Sequence, residues 1–150
     1  MTYFTIEELT ASSTAQRLKI SNAPSATIIA HLTELIAFLN VIREKWSKYC
    51  KEHGLGTPAL IVSSGYRCAT LNRAVGGVST SAHLYGYAAD LQSANGKQTA
   101  FECFMATEFA KKAYRYDQII VEKSKTARWV HVGLKNAKGQ QRRQIFKLNV

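Results

Sequence analysis

The chain is short of cysteine, proline and acid, and each shortage narrows what it can be. Its three cysteines, Cys50, Cys68 and Cys103, are widely spaced and odd in number, with no C-x-x-C pair. That argues against a disulfide scaffold and against thiolate redox or metal chemistry, and predicts reduced, mostly buried thiols. Two prolines and no repeat or low-complexity tract leave no room for a proline-rich arm or a repeat array. No apolar run approaches the ~20 residues that cross a bilayer. The opening "MTYFTIEELTAS" has neither a basic start nor a long apolar stretch, so no secretory signal is expected. The expectation is a protein made in the cytoplasm, for which any outside role needs another route of release. Acids number ten against twenty Lys and Arg, and none follows Glu122.

What remains is an ordinary globular composition. A chain of 150 residues, 46% hydrophobic and 20% charged, predicts one domain over 1–150 with a sizeable core. The net charge of +10 predicts attraction to a polyanion, whether nucleic acid, anionic membrane or a bacterial wall polymer. A plain solubilising surface explains the same charge. Charge does not choose among these, and no nucleic-acid-binding motif is present.

Residues 5–18 read as one short helix. A turn follows at "SNAPS", where Asn22 or Ser25 offers a cap and Pro24 sits near the first turn of the next helix. From about 26 to 50, Ile28, Leu32, Leu35, Leu39, Ile42, Trp46 and Tyr49 recur at three- and four-residue steps, the signature of a long amphipathic helix. His31 lies beside that stripe and reads as structural. "HGLGTP" breaks the helix, with His53 at its C-terminal end, where a partly positive imidazole is favoured. "ALIVSSGYR" begins as a buried strand and ends in a glycine turn; "ATLNRAV" is a short helix stopped by Gly76-Gly77. A strand runs through Asp90, and 97–114 forms a further helix. "YDQIIVE" and "WVHVGL", joined by "KSKTAR", read as a hairpin, and "RRQIFKLNV" offers a last strand. Segregated helices and strands predict an α+β fold with a mainly antiparallel sheet flanked by helices.

The stretch "SAHLYGYAADL" places His83 and Asp90 seven positions apart, around Gly86 and the small residues Ala88 and Ala89. A catalytic zinc takes three protein ligands, commonly His and carboxylate, and leaves a position open. The third would be His31, His53 or His131, of which only His131 lies on an expected strand. Spacing alone goes no further, since each of these residues is also a reasonable structural one.

Read together, "SSGYRCATLNRAVGGVSTSAHLYGYAADL" and "YDQIIVEKSKTARWVHVGL" resemble the zinc D-Ala-D-Ala carboxypeptidase family of peptidoglycan peptidases. That family includes phage endolysins and shares its fold with the hedgehog signalling domain. The matching words are Ser64-Gly65-Tyr66-Arg67, Leu71-Asn72, Gly76-Gly77, Ser81 through Asp90, and Trp129-Val130-His131. "FTIEELTASSTAQ…NAP" looks like the start of the small single-domain phage- and Bacteroides-type members. The resemblance implies a hedgehog/DD-peptidase-like fold, zinc on His83, Asp90 and His131, and hydrolysis of an amide bond in a peptidoglycan stem peptide. It also implies that Arg67 stabilises the oxyanion and that Ser81 and Asn72 orient substrate or shape the site. Tyr66, Tyr85 and Tyr87 are candidates to line the groove, Tyr85 first among them for substrate binding, with core packing an equal alternative for each. A monomer is expected, as are action on the wall after release and an anionic wall polymer as a plausible further partner. Nucleic acid and membrane are not expected partners.

One family position departs. Many members carry a carboxylate three residues before the last histidine, and here that position is Arg128. The general base must then be one of the carboxylates at or before Glu122. An even-numbered hairpin loop that pairs Ile120 with His131 turns Glu122 to the His131 face, one diagonal step away; an odd loop turns it away. Glu122 is the expected base. Asp117, expected on the opposite face of a regular strand, is the fallback. The missing acid also motivates an alternative, a catalytically inactive zinc-bound module that binds cell wall or protein.

Overall fold

The computed structural model describes residues 2–150. These residues form five α-helices, a 3₁₀ turn and a five-stranded sheet. The first two helices are α1 (Ile6–Thr10) and α2 (Ser13–Leu18), where the sequence suggested one. The break falls at Ser12, whose hydroxyl accepts from the Ala15 N–H, so that a residue type suited to capping starts a second helix instead of continuing the first.

Helix α3 (Ala26–His53) begins at the cap Ser25, whose side chain accepts from Ile28, and ends at Gly54 in the left-handed region. Asn22, the other candidate cap, is used elsewhere. By length and composition α3 would pass for a membrane span, although no such run was evident in the sequence. Its stripe of Leu32, Leu35, Leu39, Ile42 and Trp46 is instead fully buried against the rest of the chain. Each of these contributes roughly 1.5–3 kcal/mol of burial free energy.

The strands are β1 (Leu60–Ser64), β2 (Ala88–Ser93), β3 (Gln118–Lys123), β4 (Arg128–Gly133) and β5 (Gln144–Asn149), in the spatial order β1-β2-β4-β3-β5. All neighbours are antiparallel except β3 and β5, which run parallel. The short helix α4 (Ala69–Ala74) follows β1, and α5 (Gln98–Glu108) packs on the sheet against β2, β3 and β4. Helix α5 stops six residues short of the expected end. Tyr114 folds back there to donate to the Glu108 carboxylate at 2.6 Å, and its ring meets Phe109.

Two registers position everything that follows. The β3–β4 hairpin has a four-residue loop, 124–127, so Ile120 pairs with His131 and Glu122 with Trp129. In the β2–β4 pair, Asp90 lies directly opposite His131. Alternation then puts Asp90, His131, Ile120, Glu122 and Trp129 on one sheet face, and Val130 and Val132 on the other, buried in the core. A bulge in β1 between Val62 and Ser64 sets Ser64 opposite Asp90 just before the chain turns at Gly65. Of the cysteines only Cys50 is buried; Cys68 is half-buried and Cys103 exposed, fewer inside than expected.

Candidate metal centre

His83 reaches the sheet face from the single 3₁₀ turn Ala82–Tyr85. Ser81 caps that turn by accepting from the His83 N–H, and Gly86 closes it at φ 74°. Gly86 is required twice over. Its φ is left-handed, and a Cβ there would press within 3.2 Å of the Ile28 backbone on α3. The His83 ring is buried, and its Nδ1 lies 2.6 Å from the Gly65 carbonyl. A carbonyl only accepts, so Nδ1 carries the proton and Nε2 presents its lone pair.

That lone pair faces Asp90 Oδ1 at 3.4 Å, and His131 Nδ1 faces the same oxygen at 3.1 Å. All three donor atoms lie within 4.8 Å of one another. Ligands on ~2.0–2.1 Å arms around a tetrahedral zinc are separated by about 3.3 Å, so the set fits such an ion. His–Asp–His also suits it chemically, and the Gly65 carbonyl is the outer partner that fixes a ligating imidazole. Burial opposes the charge on Asp90, but the charges and hydrogen bonds of His83 and His131 outweigh it and hold the carboxyl well below its usual range. Burial depresses the His83 imidazole, with Asp90 pulling the other way.

These residues open on a cavity of about 680 Å³ that Glu122, Arg67, Ser81 and Trp129 also line. Glu122 sits where the even hairpin loop directs it, and the Trp129 indole N–H donates to its carboxylate. Burial raises the Glu122 carboxyl, with His131 and Arg67 pulling it down. Arg67 is fixed by two acceptors: its Nε donates to Ser64 Oγ at 3.3 Å and its Nη1 to Asn72 Oδ1 at 2.9 Å. Burial lowers its pKa, and Asp90 and Glu122 oppose that shift.

Other expectations change in the folded chain. Asn72 is buried and does not line the cavity; it donates to the Val78 carbonyl and steers Arg67. Tyr85 also stays out of the cavity, its ring packed on the core and its carbonyl bound by His31 at 2.6 Å. His31 stacks on Tyr87 and His53 on Tyr49, both away from the centre. Asp117 does line the cavity, against the parity of a regular strand, because β3 begins only at Gln118. Its carboxylate is engaged by Arg142, in a two-pronged bond at 2.7 and 2.8 Å and by the backbone N–H at 3.1 Å, whereas Glu122 carries no such ion pair. Arg128 projects to the opposite face and binds Glu102 of α5. No acid at position 128 would reach the centre on this register. Trp129 was read only as part of a matching word, without its bond to Glu122, and Arg142 was given no role at the centre; the pairing of Trp129 with Glu122 was the one available signal.

A family model described as Peptidase M15 matches residues 2–133. A 52-residue segment is 40% identical to the zinc D-Ala-D-Ala carboxypeptidase of Streptomyces albus G, over 35% of this chain and 20% of that protein. The chain thus matches about a fifth of the length of this curated relative.

Proposed function

The chain belongs to the peptidase M15 family, and from that premise we propose that it is a zinc-dependent peptidase that hydrolyses an amide bond in the stem peptide of peptidoglycan. The observation that carries the reading is the convergence of His83 Nε2, His131 Nδ1 and Asp90 Oδ1 beside Glu122 and Arg67 in one cavity. Zinc held by His83, Asp90 and His131 supplies Lewis acidity toward a water and toward the scissile carbonyl. Glu122 accepts the proton of the attacking water and returns it to the leaving nitrogen. The Trp129 indole holds the Glu122 carboxylate in place for that transfer. Arg67 donates to the carbonyl oxygen as it gains charge, its fork preset by Ser64 and Asn72. Ser81 shapes the mouth of the cavity while holding the His83 turn.

The reading extends to degradation of the cell wall by an endolysin of phage or prophage type, acting after release from the cytoplasm in which it is made. The excess of basic residues supports it, since bacterial walls are polyanionic. The test is a digest of purified peptidoglycan, with and without a chelator, read by mass spectrometry. Chelator-sensitive release of D-Ala or new stem-peptide termini is expected. Glu122→Gln should lower turnover by about 10²–10⁴-fold and still bind one zinc. Zinc binding without release from any wall chemistry would instead favour a binding module.

A further inference from the structure

A second cavity, of about 260 Å³, adjoins the metal-site cavity, and Arg67 and Val75 line both. Its walls are the α1–α2 junction with the first turn of α2, the end of β1 with the turn that follows it, and Leu71 and Val75 of α4 and its C-terminal cap. Six hydroxyl-bearing residues line it: Ser12, Ser13, Thr14, Ser63, Ser64 and Tyr66. Arg67 is its one charged lining residue, so it favours a neutral or anionic occupant.

The wall is tightly built. A Cβ on Gly65 would lie 2.3 Å from the Leu9 carbonyl oxygen, to which the Tyr66 N–H donates at 2.7 Å. Asn22, free of any capping duty, donates to the Thr10 and Tyr66 carbonyls, both at 2.9 Å, and accepts from the Cys68 N–H at 2.8 Å. The N-terminal loop is thereby tied to the same turn whose Gly65 carbonyl holds His83 and whose Arg67 points at the centre.

We infer that the substrate cleft continues past Arg67 into this hydroxyl-lined cavity, which binds the peptide on the far side of the scissile bond. This rests on the peptidase reading above. Arg67 marks the scissile carbonyl, and open volume lies on both sides of it, so the bond cut is flanked by peptide in both directions. A peptide is a chain of alternating donors and acceptors, and hydroxyls do both. At about 260 Å³ the cavity has room for about one or two residues of a peptide.

The test uses zinc-loaded protein and synthetic stem peptides lengthened one residue at a time at either end. Extension at one end is expected to raise kcat/KM about tenfold, the worth of one or two new hydrogen bonds. Ser13→Phe, at the exposed rim, should collapse that gain to near one with zinc content unchanged, and Thr14→Val should reduce it severalfold. No gain with length at either end, or a full gain in both variants, overturns the inference. Equilibrium binding of the same peptides, fluorescently labelled, to Glu122→Gln separates the two readings. Length-dependent binding of peptides that the wild type never cuts would leave the cavity standing and remove the peptidase. Binding of glycan fragments in place of peptides would overturn the assigned ligand.

Discussion

Arg67 is held from two sides, and its usefulness depends on both. Arg67→Lys keeps the charge but loses the fork that Ser64 and Asn72 orient. The expected result is a fall in kcat of about 10²–10³-fold, the usual cost of one oxyanion donor, with zinc content unchanged. Gly77 tests the same device from outside. A Cβ there would lie 2.1 Å from Asn72 Oδ1 and 2.6 Å from Arg67 Nη1, so Gly77→Ala must displace the pair. Its kcat should fall toward that of Arg67→Lys, again with zinc retained, as steady-state kinetics and metal analysis on one preparation would show. At this scale the sequence was legible wherever a motif carried chemistry: His83, Asp90, His131 and Arg67 all reach the centre. It said less about Asn72, which orients Arg67, and Tyr85, which packs on the core. Whether a polar or aromatic side chain faces substrate or a neighbour depends on packing that no spacing encodes.

Parity decides the elements. Because Arg128 lies on the core face of β4, it was never placed to act as the family's acid, and Glu102 on α5 gives it a partner. Arg128→Glu, which restores the family's residue type, should therefore gain no activity. It should lower the urea midpoint, because two carboxylates would then face each other, one of them the buried Glu102. The end of α5 makes a second, pH-dependent case. Burial and the Glu108 carboxylate push the Tyr114 phenol up to about 12, above its ordinary value. The folded state keeps this proton after the unfolded state loses it near pH 10. The stability that Tyr114 contributes is therefore complete below about pH 10 and fades as pH rises toward 12. Ultraviolet titration should show a phenol ionising near pH 12 that Tyr114→Phe removes. Legibility at this scale followed periodicity. The hairpin and the α3 stripe were plain. The α1–α2 break and the early end of α5 were not, because each is set by side-chain bonds, Ser12 to Ala15 and Tyr114 to Glu108. The offered last strand forms as β5, but its parallel pairing with β3 rests on a loop return that local pattern does not specify.

Across the whole molecule the centre also acts as a fastener. His83 comes from a turn anchored on α3, Asp90 from β2 and His131 from β4, so an ion bound to all three ties separate parts of the chain together. An ion that binds only the folded form stabilises it by mass action, about 2.7 kcal/mol at a hundred times Kd. For a chain of this length that corresponds to a rise in Tm of roughly 5–10 °C. Metal-free protein should still fold, because the sheet, α3 and the Asp117–Arg142 pair do not depend on the ion. Calorimetry of the metal-free chain with and without zinc is the measurement. His83→Ala should remove the zinc-dependent rise, whereas Glu122→Gln should keep it while losing turnover. A rise that survives His83→Ala would place the ion elsewhere and would undo the metal assignment on which the peptidase reading depends.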